Sequence, residues 1–413
     1  MAGKFLACLV AVASMSAPVG IAQSGPGQPG PLSWVFVNWA EPTKAPAEVL
    51  TGNRIEMPSF SMDADAVTVQ RGGLVHTRQL LGLDIGKGNF GFGDLIGQLQ
   101  GICRAHEATL KDVAKLNLYA SSSDGALMAA IEDGLSHRWP RSARPAVTLT
   151  ISPLIGEARL AADAVIAAPD SGTGLVERFD RDAATMPSGR DILYLSGRAA
   201  SGEIAEATSG TMTELFAVLA HLGSEPKDVV QVKAFIHLMS EWETVEREIE
   251  KAFGELGAPP LVFVEWSSTS RATEIELIAA APEAQETKEA VSYFTPPGDK
   301  SSPVYSRVAR VHADTVIYTR GVVGMRGEAP VDEVKLAFDD LRRITEAAGG
   351  DLRHLAKATY YVSDDPLSSA LNEVRPLVYD PQRPPAASKV AVPLIGKEGG
   401  GLLMDFIAVP AAK

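Results

Sequence analysis

Cysteine is almost missing from this sequence: Cys8 and Cys103 are the only two in 413 residues. Cys8 lies in an N-terminal stretch that reads as a removable signal, so Cys103 alone would remain and no disulfide within the mature chain is possible. Stability must then come from packed cores. Cys103 follows Leu95, Leu99 and Ile102 in a helical pattern, with no base at an informative spacing, and reads as a buried structural thiol. Positive charge is also in deficit. Thirty-eight Lys and Arg face 51 Asp and Glu, for a formal net charge of −13. Such a chain lacks the electrostatic footprint that phosphate backbones demand, which argues against nucleic acid as a partner. After the N-terminus no stretch supplies the 18 or more apolar residues of a membrane span. The seven histidines (76, 106, 137, 221, 237, 312 and 354) show no H-x-x-x-H and no carboxylate at metal spacing, which argues against zinc. A G-x-S-x-G elbow is absent too.

What is present is an ordinary globular composition, 46% hydrophobic and 22% charged, long enough for two to four domains. Lys4 precedes an apolar stretch from Phe5 to Val12 that continues through small residues to Ile21. Gly20 and Ala22 stand where a signal peptidase reads small side chains, so residues 1–22 are expected to be a cleaved signal and the protein to be secreted or periplasmic. Residues 23–64 form a leader, flexible by composition at its start and strand-like from Trp34 to Trp39.

One pattern then occurs three times. Pro226-Lys227-Asp228-Val229-Val230-Gln231-Val232-Lys233-Ala234-Phe235 has partners beginning at Leu110 and Leu352. Each is a short polar segment followed by alternating apolar residues, the signature of a strand. Each is preceded by an amphipathic helix, marked in the second copy by Met212, Leu215, Phe216 and Leu219, and before that by another apolar strand. A second helix follows, then two strands expected to close as a hairpin, Ala146–Ile151 with Arg159–Ala167 in the first copy. The order strand, helix, strand, helix, strand, strand predicts three α/β modules over residues 65–168, 189–281 and 305–411, joined by linkers.

At this point the sequence resembles the YjgF/RidA family of reactive-intermediate deaminases, formerly called L-PSP endoribonucleases. The resemblance rests on the shared strand and its helix, on Ala143-Arg144-Pro145-Ala146-Val147, and on Thr273-Glu274-Ile275-Glu276-Leu277-Ile278-Ala279. Ser196-Gly197 and Tyr305-Ser306 match two further family positions. It implies a chorismate-mutase-like α/β (α+β) module with a mixed sheet and two helices. Family members assemble as homotrimers with a pocket at each subunit boundary, so three copies in one chain imply an intramolecular pseudo-trimer, monomeric in solution. The implied reaction is hydrolysis of enamines or imines derived from amino acids to a 2-oxo acid and ammonia, without metal or organic cofactor.

Carried over residue by residue, the carboxylate-binding arginine corresponds to Arg144, with Pro259 and Ala387 in its place in the other copies. The water-orienting glutamate corresponds to Glu274, replaced by Ala161 and Leu403. Ser196 keeps the family serine, where the other copies have Arg78 and Arg320. Tyr305 stands for the family tyrosine. Arg144 and Glu274 therefore form one working site only if a pocket draws on different copies. Otherwise the expected role is binding of a small anionic, carboxylate-bearing metabolite or a protein partner. Arg78 and Arg320 either add to an anion site or pair with carboxylates of this acidic chain. Gly86-Lys87-Gly88-Asn89-Phe90-Gly91 fits the dinucleotide spelling but reads as the loop feeding the first helix. Ribonuclease activity finds no basic strip or interleaved aromatics to support it.

Overall fold

The computed structural model describes residues 51–55 (backbone only), 63–83, 90–267, 270–324, 329–395 and 400–411; the signal, most of the leader, and Gly86 and Gly88 lie outside these. In chain order, strands β1 (Thr51–Ile55) and β2 (Ala66–Gln70) lead to β3 (Gly73–Thr77), β4 (Leu80–Gly82), helix α1 (Phe92–Ala105), β5 (Val113–Ala120), α2 (Gly125–Arg138), β6 (Ala146–Ile151) and β7 (Leu160–Ala168). Next come β8 (Glu177–Phe179), β9 (Ala183–Met186), β10 (Ile192–Arg198), α3 (Ile204–His221), β11 (Val229–Ile236), α4 (Trp242–Phe253), β12 (Leu261–Glu265) and β13 (Thr273–Ala280). The remainder is β14 (Val291–Phe294), β15 (Val308–Val311), β16 (Thr315–Thr319), β17 (Val322–Val323), α5 (Pro330–Ala347), β18 (Gly350–Val362), α6 (Asp365–Val378), β19 (Ala386–Ala391), β20 (Leu394–Ile395) and β21 (Leu402–Pro410).

The three repeated segments become β5, β11 and the C-terminal part of β18. Each presents eight successive buried residues, as a strand covered on both faces should. That burial explains a departure from expectation. The two strands that end each copy do not pair as a hairpin; the central strand lies between them, parallel to β6, β12 or β19 and antiparallel to β7, β13 or β21. The sheets have one order three times: β6-β5-β7-β3, β12-β11-β13-β10 and β19-β18-β21-β16. The fold is mixed α+β, as expected. On one side each sheet packs its own two helices, with Leu95, Leu99 and Cys103 of α1, Met212 and Leu215 of α3, and Phe338 and Leu341 of α5 in three separate cores. Cys103 is buried there and its thiol is pushed up to about 12 by desolvation, which makes it inert. The opposite faces share two further cores. One brings Leu74, Tyr194 and Tyr318 together, the other Tyr119, Phe235 and Tyr361 from equivalent positions of the three central strands.

The segments read as linkers are structural. β9 and β8 extend the first sheet beyond β3, and β15 and β14 extend the second beyond β10. The third sheet is extended by β2 and β1 from the start of the described chain. Every module thus lends its leading strands to the sheet before it, and the first module's strands close the ring on the last. Asp191 anchors one such extension, accepting from Arg310 Nε at 2.7 Å and from the ring of His312 at 2.8 Å.

Each boundary also carries a buried lysine reaching a carboxylate of the neighbouring sheet. Lys115 meets Asp405 at 2.5 Å, Lys357 meets Glu276 at 2.6 Å, and Lys233 lies 3.7 Å from Asp163. Asp163, Glu276 and Asp405 occupy matching positions on β7, β13 and β21, opposite Asn117, Lys233 and Thr359. Breaking one such pair strands a charge in the interior. Asp405→Asn should therefore lower the unfolding free energy by about 3–5 kcal/mol, read from urea denaturation, and the double change Lys115→Met with Asp405→Leu should recover much of that loss.

Candidate functional site

Sheet register decides which residues correspond across the three boundaries. Asn117 sits opposite Thr148, Lys233 opposite Val262 and Thr359 opposite Ser388. Counting back along β6, β12 and β19, Arg144 corresponds to Ala258 and Pro384, which corrects the assignment to Pro259 and Ala387 made from sequence. Tyr119, Phe235 and Tyr361 sit opposite Ala161, Glu274 and Leu403, so the glutamate correspondence stands as read.

A cleft of about 370 Å³ opens where β10 and β13 of the second sheet meet β19 and α6 of the third. Gly197, Arg198, Glu214, Glu274, Tyr305, Arg307, Arg375, Ala387, Ser388 and Lys389 line it. Ser196, just beneath, is buried: its hydroxyl donates to the Ser306 carbonyl at 2.5 Å and accepts from the Ala387 amide at 2.7 Å. Ser306 in turn bonds the carbonyls of Pro384 and Pro385. The serine and its neighbour therefore tie the boundary together and set Tyr305 at the cleft's edge, with the Arg307 guanidinium 5.1 Å from its ring centroid.

Glu274 is half-buried and faces the cleft. Any Cβ at position 197 would come within 2.0 Å of its Oε1, so glycine there is what lets the carboxyl lie against the backbone. Burial pushes the Glu274 carboxyl up to about 7; the Glu276 carboxylate adds to the rise, while Lys357, the Ser388 hydroxyl and Arg307 oppose it. A carboxyl poised near neutrality can take or give a proton at physiological pH.

At the other two boundaries, described side chains take the positions equivalent to Ser196, Gly197 and Glu274. At the first, Arg78 Nε lies 2.6 Å from Asp182, and Gln79 fills the gap, bonding Phe263 through both its amide nitrogen and its oxygen. At the second, Arg320 Nε lies 2.6 Å from buried Asp65, and Leu403 packs against Gly321 where the cleft has Glu274 against Gly197. Arg78 and Arg320 thus serve as ion-pair partners, the second of the two roles open to them from sequence. Arg144 borders this second boundary, where Pro145 accepts from the Ala64 amide and Val147 from Gly321; it does not line the cleft. Of the residues singled out from sequence, the structure gathers Glu274 and Tyr305 in one place with Ser196 beneath them. Sequence reasoning missed Arg198, Arg307, Arg375 and Lys389, which line the same cleft; only Lys389, two positions along the strand from Ala387, carried a signal that could have been followed.

Elsewhere, Gly91 is held at φ 84° with its backbone so close to Gly82 that a side chain would collide, which gives this glycine of the dinucleotide-like spelling a packing role. Among the described residues there is no cluster of His, Cys, Asp or Glu that could hold a metal ion, and no helix long and apolar enough to cross a membrane.

The family model described as "Endoribonuclease L-PSP" matches residues 181–281. Solved structures similar to parts of the chain include a YjgF-family protein from Neisseria meningitidis, at 21% identity over 30% of this chain and 97% of that one, TM-score 0.23. A YjgF/YER057c/UK114-family protein from Mycobacterium tuberculosis is 22% identical over 27% and 96%, TM-score 0.21. A chorismatase is 12% identical over 72% and 93%, TM-score 0.26. No curated protein matches the chain.

A carboxyl-resolved titration should find Glu274 near 7. Glu276→Gln should bring it down toward the ordinary range, since a like charge is removed and Lys357 loses its partner. An unshifted Glu274 in the unaltered protein would contradict the enclosed site.

Proposed function

We propose that the one glutamate-bearing boundary cleft of this chain, whose residues 181–281 match the L-PSP family model, hydrolyses 2-imino or enamino acids to 2-oxo acids and ammonia. The observation that carries this reading is Glu274: a carboxyl raised to about 7, open to a cationic cleft, at the position of the family's water-orienting glutamate. As carboxylate it accepts a proton from water attacking the C=N carbon. The tetrahedral adduct then collapses to C=O, and the proton passes to the departing nitrogen, which leaves as ammonia. Tyr305 borders the substrate, and Ser196 holds the boundary that shapes its seat.

The reading differs from a family site at one point. Pro384 stands where an arginine would hold the carboxylate, and this favours a second reading in which the cleft binds a small anionic metabolite without turning it over. We further propose that the chain is exported and works as a monomer.

The deciding measurement is 2-oxo acid release from freshly generated 2-imino acids. Glu274→Gln should cost about 10²–10⁴-fold in rate, whereas Arg144→Ala should leave the rate within about twofold, since the arginine lies outside the cleft. The rate should climb as pH rises through about 7, where the Glu274 carboxylate forms. Absence of any acceleration by folded protein sinks the catalytic reading and leaves the binding one.

A further inference from the structure

The four cations of the cleft are not equivalent. Arg198 pairs with Asp299 and lies 3.4 Å from Glu214, and Arg307 is 3.8 Å from the same Asp299. Those two are answered by carboxylates. Arg375 and Lys389 are not. Arg375 is only 7% exposed, yet its guanidinium bonds a neutral amide, Asn372 Oδ1 at 2.6 Å, and stacks 5.2 Å from the Tyr360 centroid. Its Nε is buried without a hydrogen-bond partner. Lys389 reaches the Ser368 hydroxyl at 2.9 Å and the same Asn372 oxygen at 3.2 Å, both neutral. Among the described residues no carboxylate comes within ion-pair distance of either group. Burial and the adjacent Arg375 lower the Lys389 pKa, with Glu274 pulling the other way.

A buried guanidinium without a counter-ion, beside a second cation, is costly to keep, and a hydrophobic side chain of similar size would serve the fold at least as well. We propose that Arg375 and Lys389 form the anion subsite of the cleft and that its ligand presents a single carboxylate to them. Arg375 lines the cleft with a planar guanidinium that has no counter-ion, and Lys389 adds a point charge. Ala387, two residues before Lys389 on the same face of β19, is too small to block the approach. The pair would thereby do from α6 and β19 what an arginine at the place of Pro384 would do from the loop before the strand. The inference rests on the reading of this cleft as a site for small carboxylates, and it names the residues that select them.

Pyruvate is a suitable probe, followed by calorimetry and by its effect on the melting temperature, with inorganic phosphate alongside. Wild-type protein should bind pyruvate, and Arg375→Met and Lys389→Met should each weaken that binding about tenfold or more. Ligand-free Arg375→Met should melt at or above the wild-type temperature, a result that a structural role for the arginine would not give. Unchanged affinity in both variants overturns the proposal, as does a failure of wild type to bind pyruvate or a clear drop in the ligand-free melting temperature of Arg375→Met. Arg375-dependent binding of phosphate in preference to pyruvate overturns the carboxylate assignment. Glu274→Gln should still bind pyruvate. If wild type binds but does not hydrolyse imines, the catalytic reading fails and the anion subsite stands.

Discussion

A lysine buried in a sheet has to find a negative charge, and in this protein the lysines of the three central strands find theirs in the neighbouring sheets. Lys115, Lys233 and Lys357 rise from the three central strands, and Asp405, Asp163 and Glu276 answer them across the three boundaries. The requirement fixes more than stability. It holds each sheet at one height and rotation against the next, which places β13 against β19 and so sets Glu274, two residues from Glu276, opposite Ser388 and Lys389. The exchange of edge strands enforces the same register through main-chain bonds, since β9, β15 and β2 each complete a sheet other than the one their chain enters next. Side-chain charge and backbone pairing agree, and that consistency is what a unique arrangement needs.

The boundaries share a frame but not its contents. Where position 196 is serine, its short side chain turns inward to Ser306 and Ala387, and the space beyond is left to Gly197 and Glu274. Where arginine occupies that position, an aspartate stands at the place of Arg307: Asp182 for Arg78, Asp65 for Arg320. The neighbouring gap is closed by Gln79 or Leu403. These substitutions go together because each makes sense only with its partner. An arginine without its aspartate would carry a charge into the boundary, and an aspartate in place of Arg307 would add a negative charge beside Glu274.

How much of this was written legibly in the chain can be told from particular residues. The threefold pattern is local, carried by polar starts and alternating apolar runs such as Val229–Ile236, so it survives in one dimension. Glu274, Ser196 and Tyr305 could be singled out because they stand in short runs of recognisable spelling. Strand neighbours were misjudged: Ala146–Ile151 and Leu160–Ala168 are adjacent in sequence, but the fully buried Val113–Ala120 lies between them. Residues 168–188 and 282–304 look like linkers because Pro, Gly and charge dominate them, and short edge strands carry little hydrophobic signal. Arg375 was invisible for a different reason. On a helix it reads as one more surface cation, and only packing against Tyr360 and the approach of β19 reveal that it is buried without a counter-ion.

Joining three modules in one chain changes what substitution can achieve. In a symmetric trimer every replacement appears at all three boundaries at once, so a site cannot be closed at one of them without being closed at all. A single chain is free of that constraint. Two boundaries here are filled with ion pairs, an amide and a leucine, which add cohesion, while the third keeps features that work against it: a carboxyl raised to about 7 and a guanidinium buried without a counter-ion. Such groups are tolerated where the surrounding structure can absorb their cost. The ion-paired boundaries supply that support, and it is their asymmetry with the cleft, more than any single residue in it, that sets the meeting of β10, β13 and β19 apart from the other two.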